Sequence, residues 1–392
     1  MTRSKAPAFE QFRALVERDP PLQEQLYRPD DPAVFVALVI ERARDHGLDL
    51  GVEELATAME AKRPAFADEN DARLPPPGWL PVQTRWRGQK LDVDWAYLGS
   101  RRLCKPFFEE SVGSGLSKPF NRLFGCSTPI EALSGWLRDH PGLQPDGFIF
   151  HMSRCGSTLV SQMLAAVPRN IVISEAGPID AVVRARRNRP DLCDAQHAAW
   201  LRWIIGALGQ ARSRQERHLF VKLDSWHTLA LPLFRRAFPN VPWIFLYRDP
   251  VEVLVSQLKR RGMHMVPGLI DDVFGFDASQ ASLPPELYCA QVLERICDGM
   301  LQEYAPGRAL LVEYRQLPAA LWTDVLPHFG VPCTEHDRAA MAAAARYDAK
   351  QPELPFINDT SAKRNVATDA VRSAARTLSG LHARLEAVRL GG

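Results

Sequence analysis

From residue 147 onward, short apolar runs alternate with segments of helical periodicity, and this alternation constrains the fold more than any other feature. Four runs are apolar almost throughout, as in strands buried on both faces: 148–150, 218–223, 243–247 and 309–314. Five segments have helical spacing: 158–167, 195–211, 228–237, 251–261 and 286–304. The order predicts an α/β fold in which helices cover both faces of a parallel sheet. Ligands of such folds bind at the carboxyl ends of the strands.

The first sixty residues follow a different pattern, with apolar side chains at helical spacing between Phe9 and Met59. Two helices are expected on either side of a break at 28–32, with Asp31 as N-cap of the second and Pro32 in its first turn. A third, short helix is expected to begin near Gly51.

A charged, proline-rich stretch at 61–78 is typical of a linker. Together with the two patterns above, it predicts three parts of the chain. These are a small all-α domain at 1–62, a linker and aromatic-rich region of undefined role at 63–145, and the α/β domain at 146–392.

Residues 147–159 run from a short strand through a tight turn into a helix, and they are the strongest candidate for an anion site. The first backbone N–H groups of a helix have no intrahelical acceptor, and the helix dipole favours negative charge beside them. The candidate phosphate-binding residues are Ser153, Arg154, Cys155, Gly156, Ser157 and Thr158. An ordinary strand-to-helix turn with a solvated arginine has the same local pattern.

The loop differs from the nucleotide-triphosphate template G-x-x-x-x-G-K-[ST]. His151 stands in place of the first glycine, and Ser157 stands in place of the lysine that contacts the β- and γ-phosphates. The cation is Arg154, two residues before the glycine. An ATP-binding P-loop is therefore disfavoured.

A second candidate phosphate site follows the apolar run 243–247. Arg248 comes at the end of this expected strand, and Asp249 and Pro250 are suited to be the N-cap and first residue of the next helix. Ser256 lies about two turns along that helix. Taken alone, Arg248 fits equally well as a residue paired with a structural carboxylate.

The two motifs together resemble the family of sulfotransferases that use 3′-phosphoadenosine-5′-phosphosulfate (PAPS), over roughly residues 146–365. Arg154 to Thr158 has the form R-x-G-[ST]-[ST], which is nearer the tyrosylprotein branch than the cytosolic one. The resemblance implies a P-loop-like fold with PAPS as cosubstrate and a hydroxyl-bearing acceptor. It further implies that the loop holds the 5′-phosphosulfate, that Arg248 and Ser256 hold the 3′-phosphate, and that Lys363 and Arg364 belong to a basic loop over PAPS.

Sulfuryl transfer needs a cation beside the bridging oxygen and a base for the acceptor proton. We expect Arg154 to be that cation and, from its place after the loop helix in the tyrosylprotein-like pattern, Glu175 to be the base. A structural, salt-bridged glutamate fits the same position. The family's Lys-x-His pattern is met by Lys222 but has Asp224 in place of histidine, so Asp224 and His227 are second candidates for the base.

Residues 9–59 resemble Nif11-type helical domains, which occur as leader-like segments in peptide natural-product systems. The resemblance permits a peptide or a natural-product intermediate as acceptor. A structural or partner-docking role for the N-terminal helices is the other interpretation.

Composition excludes some classes of function. The net charge of +2 gives no reason to expect nucleic acid as a partner, and no apolar run is long enough for a membrane span, so a cytoplasmic location is expected. No metal is expected. Two other functions stay open: a Mg²⁺-dependent ATP phosphotransferase, and a nucleotide-binding or docking protein without catalysis.

Overall fold

The computed structural model describes residues 7–60, 75–76, 78–357 and 359–391. Its strands are β1 (Trp79–Arg87), β2 (Lys90–Tyr97), β3 (Cys126–Pro129), β4 (Pro145–His151), β5 (Asn170–Ser174), β6 (His218–Lys222), β7 (Trp243–Tyr247) and β8 (Ala309–Glu313). Its α-helices up to β7 are α1 (Ala8–Val16), α2 (Pro20–Tyr27), α3 (Pro32–Asp45), α4 (Val52–Glu60), α5 (Phe108–Leu116), α6 (Pro119–Phe124), α7 (Leu133–Asp139), α8 (Ser157–Ala165), α9 (Gly177–Val183), α10 (Asp194–Leu208) and α11 (Leu231–Ala237). The α-helices after β7 are α12 (Pro250–Lys259), α13 (Asp271–Phe274), α14 (Ala278–Ala281), α15 (Pro285–Glu303), α16 (Leu326–His328), α17 (Glu335–Ala344), α18 (Thr360–Asn365), α19 (Asp369–Thr377) and α20 (Ser379–Gly391).

Five parallel strands form the central sheet in the order β5-β6-β4-β7-β8. Every residue of β5 and β7 is buried, and all except Asn170 and Ser174 are apolar or aromatic, as in strands covered on both faces. Helices flank the sheet, so the predicted α/β architecture is confirmed. The strands β4, β6, β7 and β8 lie where the four apolar runs predicted them.

Strand order determines where a ligand site can form. β4 lies between β6 and β7, and the chain passes from β4 through α8 to the edge strand β5 before returning to β6. The carboxyl ends of parallel strands share one edge of the sheet, so the loops after β4, β5, β6 and β7 meet there. All of the strand-end residues singled out from the sequence lie on these loops.

The N-terminal helices form as expected, with one addition. Asp31 caps α3 by accepting hydrogen bonds from the N–H groups of Ala33 (2.8 Å) and Val34 (3.0 Å), and Pro32 is in the first turn. The helix α2 was not expected from the sequence; its N-cap Asp19 accepts a hydrogen bond from the Leu22 N–H (3.0 Å). An all-α region is therefore present, whereas the boundary at 62/63 lies outside the described residues.

Aromatic residues of region 79–127 join the N-terminal helices to a small antiparallel sheet, β1-β2-β3. The Phe124 ring lies 6.2 Å from that of Phe9 and 6.3 Å from that of Phe12. On the opposite side, Trp86 of β1 lies 6.3 Å from Trp200 of α10. The apolar residues of this region follow neither helical nor strand spacing for long, because short strands, helices and turns follow one another within it.

No helix in the described ranges is long and apolar enough to cross a membrane.

Candidate active site

The loop between β4 and α8 has an unusual backbone. Ser153 (φ 77°), Arg154 (φ 52°) and Gly156 (φ 87°) all have positive φ, which costs a residue with a Cβ about 1 kcal/mol or more. Such backbone turns point successive N–H groups into a concavity that suits an anion. No side chain caps α8 at Gly156, so the N–H groups of its first turn face the same place.

Gly156 is required here for a steric reason as well. A Cβ at this position would lie 2.9 Å from both Tyr314 Cδ2 and Leu317 Cδ1. The Tyr314 ring therefore packs directly on the loop, which leaves space for glycine alone.

Some side chains of the β4–α8 loop anchor the loop to the rest of the protein, and others remain available to a ligand. Cys155 is buried and its thiol donates to the Leu246 carbonyl (3.1 Å), so only its backbone faces a ligand. Ser153 Oγ accepts from Gln257 Nε2 (2.8 Å), and Gln257 Oε1 in turn accepts from the Gly262 N–H (3.1 Å). The Arg154 guanidinium donates to the Arg260 carbonyl and remains half-buried. Gln257, which the sequence analysis missed, fixes the loop to α12.

Arg248 lies at the end of β7 with 4% of its surface exposed. Its Nε contacts Glu252 Oε2 (2.6 Å), and its terminal nitrogen contacts Asp359 Oδ1 (3.0 Å) and Thr360 Oγ1 (3.2 Å). The guanidinium carbon is 3.9 Å from the centroid of the Tyr314 ring. The same tyrosine thus contacts Gly156 and Arg248, the two candidate phosphate sites.

The C-terminal segment brings the other two predicted cations to Arg248. Lys363 Nζ pairs with Asp359 Oδ2 (2.8 Å). Arg364 pairs with Glu252 Oε1 (2.9 Å) and Asp249 Oδ2 (3.1 Å) at the start of α12. Three cations and three carboxylates therefore form one network, in which a phosphate can take the place of a carboxylate.

Ser256 lies on α12 as the sequence placed it, two turns beyond Arg248, and it is half-buried. We find no hydrogen-bond partner for its hydroxyl in the described parts of the chain. Asp359, Glu252 and Tyr314 were not singled out from the sequence as site residues, since the first two oppose the charge of the expected ligand.

Glu175 follows β5 with a positive φ of 53°, and its N–H donates to the Lys222 carbonyl (2.8 Å). Its carboxylate accepts from the buried Lys222 ammonium and lies 3.3 Å from His151 Nε2. Burial opposes ionisation of Glu175, but the Lys222 charge and a hydrogen bond from His151 outweigh it and hold its pKa well below the usual range. The carboxylate is ionised, as a base must be, and it is also salt-bridged.

Asp224 and His227, the second candidates for the base, lie beside Asp180 of α9. His227 Nε2 is 3.0 Å from Asp180 Oδ1 and 3.7 Å from Asp224 Oδ2, and Trp226 Nε1 donates to Asp180 Oδ1 (2.8 Å). Burial, followed by the charges of Glu175 and Asp180, raises the pKa of Asp224 well above its usual value. One ligand atom from each of Asp180, Asp224 and His227 lies within 4.8 Å of the others, a spacing compatible with a cation, but hydrogen bonds already satisfy Asp180.

Lys350 is a further cation that the sequence analysis did not select. Its Nζ is 5.7 Å from the centroid of the Phe107 ring, and the Lys222 Nζ is 5.2 Å from the same centroid. Burial and the charges of Arg154 and Lys222 lower the pKa of Lys350 to about 8. Lys350 thus adds to the cations Arg154 and Lys222 near the β4–α8 loop, as expected where an anion binds.

Comparison with known proteins supports a sulfotransferase segment. Residues 145–335, from the start of β4 to the start of α17, match the model of the sulfotransferase family Sulfotransfer_3. The matched segment contains the β4–α8 loop, Glu175, Lys222, Arg248 and Ser256, whereas Lys363 and Arg364 lie beyond it. A search of the curated proteins finds no match.

Solved structures that resemble the chain include three sulfotransferases. The sulfotransferase domain from the curacin biosynthetic pathway is 17% identical, with a TM-score of 0.41 over 61% of this chain and 98% of that one. The sulfotransferase domain of the Synechococcus PCC 7002 olefin synthase is 18% identical, with a TM-score of 0.36 over 62% of this chain and 96% of that one. Sulfotransferase STF1 from Mycobacterium tuberculosis H37Rv is 13% identical, with a TM-score of 0.36 over 69% of this chain and 87% of that one. The sulfotransferase resemblance is confirmed by the family match, while the Nif11-like domain and the tyrosylprotein-like loop subtype stay predictions.

Proposed function

We propose that this protein transfers a sulfuryl group from PAPS to the hydroxyl group of an acceptor, which is a small molecule, a natural product or a peptide. The observation that carries the proposal is the placement of Arg154 and Arg248 after the neighbouring strands β4 and β7, with Tyr314 contacting both sites. PAPS carries negative charge at both ends of its adenosine, and the two sites offer it two separate anion-binding positions on one edge of the sheet.

The proposed PAPS-binding residues form two groups, one for each end of PAPS. On the 5′ side, the N–H groups of the loop, the hydroxyls of Ser157 and Thr158 and the Arg154 guanidinium would hold the phosphosulfate. On the 3′ side, Arg248, Ser256, Lys363 and Arg364 would hold the phosphate, which competes with Asp359 and Glu252 for the same cations. Binding therefore replaces protein carboxylates with a ligand phosphate of the same sign.

In the transfer step, the acceptor oxygen bonds to sulfur while the bond from sulfur to the phosphate oxygen breaks. Arg154 stabilises the charge that grows on that departing oxygen. Glu175 accepts the acceptor proton, and the adjacent Lys222 orients its carboxylate. PAPS supplies the sulfuryl group, and no metal takes part in the proposed reaction.

A radiolabel experiment tests this function. The protein is incubated with ³⁵S-labelled PAPS and a panel of phenols, alcohols and hydroxyl-bearing peptides in EDTA, and in parallel with γ-³²P-labelled ATP and Mg²⁺. We expect acceptor labelling from PAPS in EDTA and none from ATP. Labelling from ATP with Mg²⁺ alone would instead identify a phosphotransferase, and binding of nucleotide without any transfer would identify a docking protein.

Binding of the product 3′-phosphoadenosine-5′-phosphate (PAP) is expected to depend on pH through Lys350. Its ammonium is charged below about pH 8 and favours the anion, so affinity should fall above that pH by up to about tenfold per pH unit. The ligand phosphates are fully ionised above about pH 7.5 and do not contribute to this slope. Calorimetry across pH 7.5–9.5 measures it. Lys350→Met should bind PAP more weakly at pH 7.5 and lose the slope; an equal slope in both proteins would contradict the assignment.

A further inference from the structure

The described parts of the chain contain three residues other than glycine with a positive φ, and all three lie at the candidate active site. They are Ser153 (77°), Arg154 (52°) and Glu175 (53°). A residue with a Cβ keeps this backbone conformation only where the surrounding structure imposes it, and such residues concentrate at functional sites. Two of the three are in the β4–α8 loop, and the third follows β5. Contacts that hold both segments in place are therefore required.

The imidazole ring of His151, the last residue of β4, lies between these two segments. Its Nδ1 accepts a hydrogen bond from the Ser153 N–H (3.0 Å). Its other nitrogen, Nε2, lies 2.9 Å from the Leu223 carbonyl oxygen and 3.3 Å from Glu175 Oε1. One ring, with 5% of the residue's surface exposed, thus contacts the segments that follow β4, β5 and β6.

These contacts determine which nitrogen of the His151 ring carries a hydrogen. A backbone N–H can only donate, so Nδ1 is the acceptor and, in a neutral ring, Nε2 carries the hydrogen. Burial lowers the pKa of His151, which favours the neutral ring. The Nε2–H then faces two acceptors, the Leu223 carbonyl and the Glu175 carboxylate. Each nitrogen of the ring therefore has a different task.

We propose that His151 is a positioning residue for the transfer reaction, which holds the β4–α8 loop and the base Glu175 at a fixed separation. Ser153 directly precedes Arg154, so its hydrogen bond to Nδ1 determines where the catalytic cation begins. Lys222 also contacts Glu175, but an ammonium is a point charge that fixes orientation less than a planar ring does. This inference rests on the proposed function, in which small displacements of the reacting groups lower the rate.

Two variants of similar shape separate the two contacts of His151. In His151→Asn the side-chain oxygen can replace Nδ1 as acceptor for the Ser153 N–H, whereas the hydrogen on Nε2 is lost. In His151→Gln the longer amide can donate from near the position of Nε2, whereas the acceptor at Nδ1 is lost.

The two variants should have opposite effects on donor binding and on rate. His151→Asn should keep its affinity for PAP within about threefold of wild type and lower the rate of transfer about tenfold, the usual effect of one lost hydrogen bond. His151→Gln should weaken PAP binding about tenfold and keep more of its rate at saturating PAPS than His151→Asn does. Calorimetry with PAP measures the affinity. Single-turnover transfer from ³⁵S-labelled PAPS to the phenol that the wild type labels fastest measures the rate.

The variant Ser153→Gly tests the contact with the loop in a second way. Glycine adopts a positive φ without strain, so the loop no longer depends on the ring. Adding His151→Gln to Ser153→Gly should therefore weaken PAP binding less than about threefold, against about tenfold when Ser153 is present. Ser153→Gly alone measures the separate loss of the hydrogen bond from Gln257 Nε2 to Ser153 Oγ.

The control is His218→Asn, because His218 begins β6 at the opposite edge of the sheet, where it contacts Asp146. It should change neither affinity nor rate. Equal losses of affinity and rate in both His151 variants, or no loss in either, would overturn the positioning role and leave the donor assignment intact. The same conclusion follows if thermal unfolding shows that neither variant folds. If the wild type neither binds PAP nor transfers from PAPS, the proposed function itself fails.

Discussion

Replacing Arg154 with alanine is expected to lower the rate of sulfuryl transfer by about 10²- to 10³-fold, the usual effect of removing one group that stabilises charge in a transition state. Arg154 lies on the strained β4–α8 loop, and its guanidinium donates to the Arg260 carbonyl near the N–H groups that we propose bind the phosphosulfate. Negative charge grows on the departing oxygen only as the bond from sulfur breaks. The rate of transfer should therefore fall by a larger factor than the affinity for PAPS. Single-turnover rates at saturating PAPS measure this effect.

The variant Arg154→Lys is the matched control for charge. It should recover part of the rate, since an ammonium keeps the charge but loses the planar fork of donors. PAP affinity of Arg154→Ala should change far less than the rate. A rate within threefold of wild type would contradict the assignment of Arg154 as the catalytic cation.

Replacing Glu175 with glutamine is expected to lower the rate of transfer by about 10²- to 10⁴-fold, the range for loss of a general base. Asp224→Asn should change the rate far less, because the raised pKa of Asp224 disfavours the ionised form that a base needs. The comparison is informative because the two pKa shifts are opposite: Lys222 and His151 lower that of Glu175 despite its burial, whereas burial and nearby carboxylates raise that of Asp224. Single-turnover rates with a neutral phenol measure both variants.

The buried Lys222 requires a control for folding. Removing its partner leaves an uncompensated buried charge, which costs about 3–5 kcal/mol in comparable cases. Thermal unfolding and PAP binding of Glu175→Gln must therefore be measured beside the rate. A folded Glu175→Gln protein that binds PAP and keeps its rate, together with a large loss in Asp224→Asn, would make Asp224 the base.

Features that depend on local sequence could be predicted well. The strand, turn and helix around Gly156 follow from residues adjacent in the chain, and so do the Asp249 cap and the position of Arg248 at a strand end. Once α/β order was inferred, the carboxyl ends of the strands had to share one edge of the sheet. Arg154, Glu175 and Arg248 accordingly follow the carboxyl ends of β4, β5 and β7 at one edge of the parallel sheet.

Features that depend on contacts between distant residues could not be predicted. Lys222 and Glu175 are 47 positions apart, and their ion pair forms only because β5 and β6 are neighbours in register. Lys350 comes from a loop between α17 and α18 with no pattern of its own. The aromatic residues of β1 and β2 do not follow the simple alternation of a strand with one buried face, because they pack against α-helices from two directions.

The central claim is that two anion sites on one edge of the sheet hold the two ends of PAPS. Calorimetry of PAP in EDTA, against ATP with Mg²⁺, tests it most directly in the wild type, in Arg248→Ala and in the exposed-arginine control Arg235→Ala. We predict Mg²⁺-independent PAP binding that Arg248→Ala weakens about 100-fold, as loss of charged hydrogen bonds requires, and that Arg235→Ala leaves unchanged. Tighter binding of ATP with Mg²⁺, or PAP binding insensitive to Arg248→Ala, would contradict the claim.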